Sequence, residues 1–405
     1  MEQEELQVRK LFAMTPKTSV LFITPQTPPL GGVAMQTERF LDTDEITRRF
    51  TVSVLRSNPR REHENPGGRK TVSAGIALWT LGFLFRAFAI GLKKRPEVVY
   101  VATCNDLSFI RNMAGALLAA LPRRGSIVLH FHAWRGGICV SEASGPLFGK
   151  LLHSMASWLL RRAWGVIHLT KAIDDSFRSN GLRGADWIVP NCVEIGPTPD
   201  LSVKDPCSIL FIGRLSREKG FFDLLDALES QRLDRYDWKL HVLGCPTTAA
   251  ASEIEHRLAN HGQSARIRRY GAVAGEVKAA LLKKCSLFVL PSYGEVFPVS
   301  MIEAMAAGQA VIATPVGETC EIPAPDGWVS VQPGDTSGLI DAIEQILEDS
   351  YLRMELGRRN RRKAEEEYDV RIHVERLEEV FAGAAMHRAS GGKCASFRDR
   401  SQCMR

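Results

Sequence analysis

The sequence predicts an α/β protein of two doubly wound domains facing each other across a cleft. Three observations predict it. The chain has 405 residues, too many for one core of ordinary size, so two domains of roughly 150–200 residues are expected. Short apolar runs alternate with stretches of helical periodicity, the pattern of right-handed βαβ crossovers and a parallel sheet covered on both faces. That alternation occurs twice, and the segment between, CVEIGPTPDLSVKDP (192–206), is rich in Pro, Asp and Ser and has no period. Each half is therefore Rossmann-like, with ligands expected beyond the carboxyl ends of its strands.

In the first half the strands are SVLFIT (19–24), TVSVL (51–55), EVVYVAT (97–103), SIVLHFH (126–132) and GVIHL (165–169). Helical periodicity occupies 33–42, 73–92, 106–120, 145–162 and 171–179. After WIVPN (187–191) comes the linker. The second half reads as strands at SILFIG (208–213), KLHVLG (239–244), SLFVLPS (286–292) and QAVIAT (309–314). Helices are expected from Phe221, near 250–260, near 275–283 and over 298–307, followed by a helical tail from Ser337 to about Ala385. The expected boundaries are 1–198 for the first domain and 199–366 for the second. Residues 367–386 are expected as a helix returning to the first domain, and 387–405 as a disordered tail with too little apolar content to pack.

Lys and Arg number 52 against 46 Asp and Glu, a net charge of +6. That excess suits an anionic small ligand or an anionic membrane surface, and falls well short of a nucleic-acid-binding tail. The nine cysteines are scattered singly, without a CxxC pair or zinc-finger spacing, which points to a reduced, cytoplasmic location. The N-terminal MEQEELQVRK lacks the apolar core of a secretory signal. Residues 73–92, SAGIALWTLGFLFRAFAIGL, have the length of a membrane span but contain Arg86 and lie between Arg69, Lys70, Lys93, Lys94 and Arg95. A central Arg costs a few kcal/mol in a bilayer. The stretch is expected as a core-facing helix, with a helix whose basic flanks rest on anionic lipid as the alternative. The doublets Arg60-Arg61, Arg123-Arg124 and Arg161-Arg162 fit that alternative or a solvated surface equally.

The segment richest in chemistry is SYGEVFPVSMIEAMAAG (292–308). A buried strand ends at Pro291-Ser292, a helix begins near Pro298, and Gly308 closes it. Glu295 in the loop and Glu303 in the helix put carboxylates on both sides of a helix N-terminus. Such an end attracts a phosphate while carboxylates accept from sugar hydroxyls. An isolated pair of this spacing is more often two solvated glutamates. Upstream, FIGRLSREKGFFDLLDAL (211–228) sets Arg214 and Lys219 between a strand and a helix, where two cations can converge on a diphosphate. Taken singly, both would be ordinary surface cations. Asp42-Thr43-Asp44 reads as a solvated helix end, and Gly391-Gly392-Lys393 lies in the expected tail; HExxH, GxSxG, Walker A and GxGxxG are all missing from the sequence.

In combination these segments are more specific. Strand–GRL–x3–KG–helix, then strand–PS–x2–E–x7–E–AMA–x–G, then ATxVGE resembles the retaining family-4 glycosyltransferases of the GT-B fold, the glycosyl transferases group 1. IVPNCVE (188–194) and Leu30-Gly31-Gly32-Val33 extend the resemblance to most of residues 18–385. It implies that Arg214 and Lys219 grip the donor diphosphate and that Glu303 holds the ribose hydroxyls. Glu295 would contact the donor sugar, with Val299 also among the donor-binding positions. Gly31 and Gly32 would let backbone approach the phosphates. His132 matches the family's active-site histidine, with His130, on the same strand face, as competitor. The donor would be a UDP- or GDP-sugar, with no cofactor and no metal. The acceptor would be a glycan or lipid-linked molecule in surface polysaccharide or glycoconjugate synthesis. The family often has Glu-Gly-Phe-Gly where this chain has Glu295-Val296-Phe297-Pro298. Pro298 has no N–H for a phosphate, and Val296 narrows the space beside Glu295. Two other functions remain compatible with the sequence: a nucleotide-sugar epimerase on the same fold, and a non-catalytic sugar-nucleotide-binding scaffold.

Overall fold

The computed structural model describes residues 17–27, 32–59, 74–104, 107–132, 146–247, 250–273 and 275–389. The first lobe runs β1 (Thr18–Thr24), α1 (Gly32–Leu41), α2 (Asp44–Arg49), β2 (Phe50–Arg56), α3 (Ala74–Lys94), β3 (Val98–Thr103), α4 (Leu107–Ala120), β4 (Ser126–Phe131), α5 (Pro146–Arg162), β5 (Gly165–His168), α6 (Lys171–Ser179) and β6 (Trp187–Ile188). Its six strands pair in parallel in the order β2-β1-β3-β4-β5-β6. Strand side chains alternate in direction, so one sheet feeds two cores. Leu21, Ile23, Val99, Val101 and Leu129 pack with Phe83 and Ala87 of α3 and Met113 of α4. Val20, Phe22, Tyr100 and Val128 pack on the other face with Phe40 of α1 and Leu377 and Phe381 from the far end of the chain.

The second lobe continues with β7 (Asp205–Ile212), α7 (Phe221–Leu228), β8 (Lys239–Leu243), α8 (Ala251–Ala259), β9 (Ile267–Gly271), α9 (Gly275–Lys284), β10 (Cys285–Leu290), α10 (Val299–Ala306), β11 (Ala310–Ala313), β12 (Trp328–Ser330), α11 (Thr336–Glu348), α12 (Ser350–Glu367) and α13 (Val370–Ala389). Its sheet is again six-stranded and parallel, in the order β12-β11-β10-β7-β8-β9. The expected pair of doubly wound sheets is present. Strands β9 and β12, the two edges, escaped the sequence reading. Neither gave an apolar signal: β9 is IRRYG with half-buried or exposed side chains, and β12 is three residues long.

The expected single helical tail is three helices. Asp349 breaks it by accepting from the backbone N–H of Leu352 at 2.9 Å, and Asp369 turns the chain by bridging to Val193. Helix α13 then lies on the first sheet, where Val374, Leu377, Val380 and Phe381 are buried and Ser126 Oγ donates to Ala384 O at 2.7 Å. Each such side chain contributes about 1.5–3 kcal/mol of burial. The helix runs to Ala389 rather than stopping at 386, with Arg388 paired to Glu97 at 3.2 Å. Residues 390–405, with the Gly391-Gly392-Lys393 run, lie outside the described residues.

Helix α3 departs from the core-facing expectation. Only a narrow stripe is buried, Phe83 and Ala87 against the sheet and Gly91 against the Ala119 backbone of α4. Leu78, Leu81, Phe85 and Leu92 are 55–73% exposed. A helix apolar on every side carries no periodic mark of which face is buried, so the sequence could not tell these residues apart.

Candidate active site

The carboxyl ends of β7, β10 and β11 are neighbours in the second sheet, and two glycines press their loops together. Gly220 sits at φ +64°, and a Cβ there would lie 1.9 Å from Pro291 O. Gly317 sits at φ +55°, and a Cβ there would lie 1.9 Å from Glu295 O. A side chain at either point would push the loops apart. Between β7 and α7 the chain makes a short 3-10 turn, Arg217–Lys219, capped by Ser216. This delivers Lys219 Nζ to 2.7 Å from Glu295 Oε1, and Ser292 Oγ donates to the same oxygen at 2.8 Å. Lys219 is 18% exposed and Glu295 7%. Arg214, just beyond β7, is exposed and has no ion-pair or hydrogen-bond partner among the described residues. The structure thus joins Lys219 to Glu295 and leaves Arg214, in the same β7–α7 connection, without a partner among the described residues.

Glu303 stands apart from that pair, on α10. Pro298 is the residue before the helix, with φ −70°, and Val299, partly buried, opens it. At the other end Gly308, at φ +69°, donates to Met305 O while Gln309 donates to Ala304 O, a Schellman closure. Two cations absent from the sequence reading hold the Glu303 carboxylate. Arg39 Nη2 is 2.5 Å from Oε1 and Lys278 Nζ 2.6 Å from Oε2. Arg39 belongs to α1 of the first lobe and Lys278 to α9 of the second. A second contact between lobes joins Thr170 Oγ1, after β5, to Glu318 Oε2, after β11, at 2.7 Å. Burial holds the Glu318 carboxyl above its ordinary value, against the Thr170 hydrogen bond. Both contacts lie beyond carboxyl ends of strands, so the lobes meet at those ends.

On the first lobe, the two histidines of the β4 register separate clearly. His130 is fully buried and engaged at both ring nitrogens, by Tyr100 OH at 2.7 Å and Val189 O at 3.0 Å. His132, just past β4, meets Asn191 Oδ1 through Nδ1 at 3.2 Å, and its buried Nε2 has no partner among the described residues. Burial lowers His132 to about 4, opposed by the Asn191 contact. It is therefore neutral at ordinary pH, and Nε2 is its unused group. Gly32 opens α1, exposed, with open space where a Cβ would stand. Gly31 lies outside the described residues. Asp42 and Asp44 are exposed around the α1–α2 junction, where Asp44 pairs with Arg48 at 3.5 Å.

A hollow of about 270 Å³ lined by Leu201, Lys204, Ser286 and Arg353 lies at the amino-terminal ends of β7 and β10, opposite the ends that carry Arg214 and Glu295. Gly308, which closes α10, is on its wall, but none of the site residues expected from the sequence lines it. Arg39 and Lys278 had no motif to announce them; Glu318 closes the ATxVGE run but had no role assigned to it. In sequence, Lys278 of GEVKAALLKK is indistinguishable from a solvated helix face.

Two parallel α/β sheets that meet at their carboxyl ends make the GT-B fold. Sucrose-phosphate synthase from Thermosynechococcus elongatus superposes with a TM-score of 0.68 at 18% identity, covering 91% of this chain and 99% of that one. Anabaena HepE in complex with UDP-glucose superposes with a TM-score of 0.65 at 19% identity, over 90% and 99%. At that identity the likeness establishes the fold. In sequence, the chain is 25% identical over 365 residues to glycogen synthase of Mycobacterium tuberculosis (strain CDC 1551 / Oshkosh), covering 84% of this chain and 82% of the relative. It is also 28% identical over 251 residues to phosphatidyl-myo-inositol mannosyltransferase of Mycolicibacterium smegmatis, over 59% and 60%. Residues 199–363 match the model of the glycosyl transferases group 1 family. The match lies within this second lobe, and with the relatives above it supports a glycosyltransferase.

Proposed function

We propose that the protein is a retaining, family-4 hexosyltransferase that takes a sugar from a UDP- or GDP-sugar without a metal ion. The observation that carries this reading is the Lys219–Glu295 pair at the ends of β7 and β10, with Arg214 in the same β7–α7 connection and unpartnered among the described residues. As the bond between sugar and diphosphate breaks, negative charge develops on the departing phosphate. Arg214 and Lys219 stabilise it there, in place of a metal. Glu295 faces the donor sugar, Glu303 takes the ribose hydroxyls, and neutral His132 offers Nε2 from the opposite lobe. The acceptor oxygen approaches from the face the diphosphate leaves. A thermal-shift screen of UDP-, GDP- and ADP-sugars, followed by transfer assays with and without EDTA, tests this. A GDP- or UDP-sugar should raise the melting temperature and turnover should survive chelation. A new sugar nucleotide with no glycoside formed would identify an epimerase instead, and no shift with any of them a scaffold.

The acceptor is a glycan or a lipid-linked molecule, and the enzyme works in the cytoplasm at the inner face of a membrane. The support is α3. Its exposed Leu78, Leu81, Phe85 and Leu92 fall on one stripe at helical spacing, beside exposed Arg86, Lys93, Lys94 and Arg95. No acidic residue occurs between 74 and 96. A basic helix with an exposed apolar face suits the surface of an anionic bilayer. That a relative named for phosphatidyl-myo-inositol mannosylation matches this chain supports a lipid-linked acceptor. Co-sedimentation with phosphatidylglycerol vesicles checks it. Binding should fall with salt and with Phe85→Glu; equal partition onto neutral phosphatidylcholine vesicles would remove the membrane assignment.

A further inference from the structure

Glu303 is nearly buried, 9% exposed, and two cations from opposite lobes hold it. An ionised carboxylate has about four acceptor positions, two on each oxygen. Arg39 donates to Oε1, and Oε2, though ion-paired with Lys278, is buried with no hydrogen-bond partner among the described residues, so each oxygen keeps an acceptor position unfilled. Two acceptors a carboxylate apart match a vicinal diol, whose two O–H groups donate side by side. The Arg39 guanidinium is itself tied down on the far side. Its Nη1 donates to Cys192 O at 2.9 Å, where the chain leaves the first sheet, and lies 3.5 Å from Gln36 Oε1. One guanidinium therefore spans helix α1, the start of the interlobe linker and helix α10.

We propose that Arg39 and Lys278 are positioning residues for the nucleotide donor: they fix the Glu303 carboxylate in the orientation that receives the ribose diol. Arg39 makes that orientation depend on contact between the lobes. The charge-assisted hydrogen bond from Arg39 at 2.5 Å and the Lys278 ion pair at 2.6 Å fix both position and rotamer. Without them the carboxylate would reorient or take up water, and the diol would have to pay its ordering. The donor then binds best when α1 and α10 are in contact, which couples closure of the cleft to occupancy. This inference rests on the reading that Glu303 takes the ribose.

The test is calorimetric affinity for uridine, guanosine and adenosine diphosphates, with steady-state kinetics on the donor that proves active. Arg39→Ala and Lys278→Ala should each weaken the preferred diphosphate about tenfold, or about 1.4 kcal/mol. The donor KM should rise by the same factor, with kcat at saturating donor changed less than threefold. Arg39→Lys should recover part of the affinity. In a Glu303→Ala background, itself much weaker, Arg39→Ala should add nothing. Wild-type affinity in both single variants, alongside loss in Glu303→Ala, would overturn the inference alone. So would an Arg39→Ala effect undiminished in the Glu303→Ala background, because Arg39 would then act elsewhere. Unchanged affinity in Glu303→Ala would overturn the ribose assignment and this inference together. Should Arg39→Ala fail to fold, Lys278→Met, which keeps the side-chain stem, carries the same test.

Discussion

Replacing Lys219 with Ala separates the proposed leaving-group role from a structural one. Two effects follow from the geometry. The cation is 18% exposed and sits 2.7 Å from Glu295, so its bond to a diphosphate is charge-assisted and partly shielded from water. Such a bond contributes about 1.5–3 kcal/mol. At about 1.4 kcal/mol per decade, turnover should fall roughly 10- to 100-fold. The second effect is on stability. Glu295, 7% exposed, keeps only the Ser292 hydroxyl at 2.8 Å among the described residues. Breaking a fully buried pair costs about 3–5 kcal/mol; this pair is open to the cleft on the lysine side, so about 1–2 kcal/mol is expected. For lobes of this size that lowers the melting temperature by a few degrees. The assay is transfer of labelled sugar at saturating donor, with a melting curve on the same sample and Lys219→Arg as the charge-keeping control. Turnover within twofold of wild type in Lys219→Ala, with the fold intact, would refute the leaving-group assignment.

Three further outcomes follow from the same geometry. Arg214 has no partner among the described residues, so Arg214→Ala should leave the melting temperature within about a degree while cutting turnover tenfold or more; a large loss of stability with unchanged turnover would reverse that reading. Gly220→Ala should destabilise the second lobe by more than about 2 kcal/mol in urea titrations, because its Cβ would lie 1.9 Å from Pro291 O at φ +64°. Acid should weaken the fold. Burial lowers His132, His168 and His241 to about 4 and His373 to about 3, and pushes His130 well down. The unfolded chain gains protons below about 6.5 that these folded rings refuse, so stability present at pH 7 is lost as pH falls toward 4. On the order of 2 kcal/mol per fully buried ring should be gone by pH 5. A urea midpoint that stays flat from pH 7 to pH 5 would contradict it.

The site was partly legible because its motifs sit where strands end. GRL–x3–KG after β7 and the glutamates around α10 lie in strand-to-helix connections, and apolar strand periodicity locates those connections. The Lys219–Glu295 contact joins residues 76 positions apart, but β7 and β10 are adjacent strands, so their loops meet as a consequence of sheet order. The Arg39–Glu303 contact joins residues 264 positions apart in different lobes. No local pattern foreshadows it. The same limit hid the choice between His130 and His132, which share a strand face and differ only in what surrounds them: Tyr100 and Val189 occupy both nitrogens of one, Asn191 a single nitrogen of the other.

From sequence alone came two parallel α/β sheets and the loops that carry the charged motifs. All depend on backbone periodicity and turn chemistry, which act over a few residues. The tertiary structure alone decided that Glu303 is clamped by Arg39 and Lys278, that α3 turns Leu78, Leu81, Phe85 and Leu92 outward, and that IRRYG and WVS complete the second sheet as its edges. Those outcomes depend on which surfaces meet once both sheets are formed. Burial and ion pairing are properties of neighbours in space, and spacing along the chain records them only when the neighbours are also near in sequence.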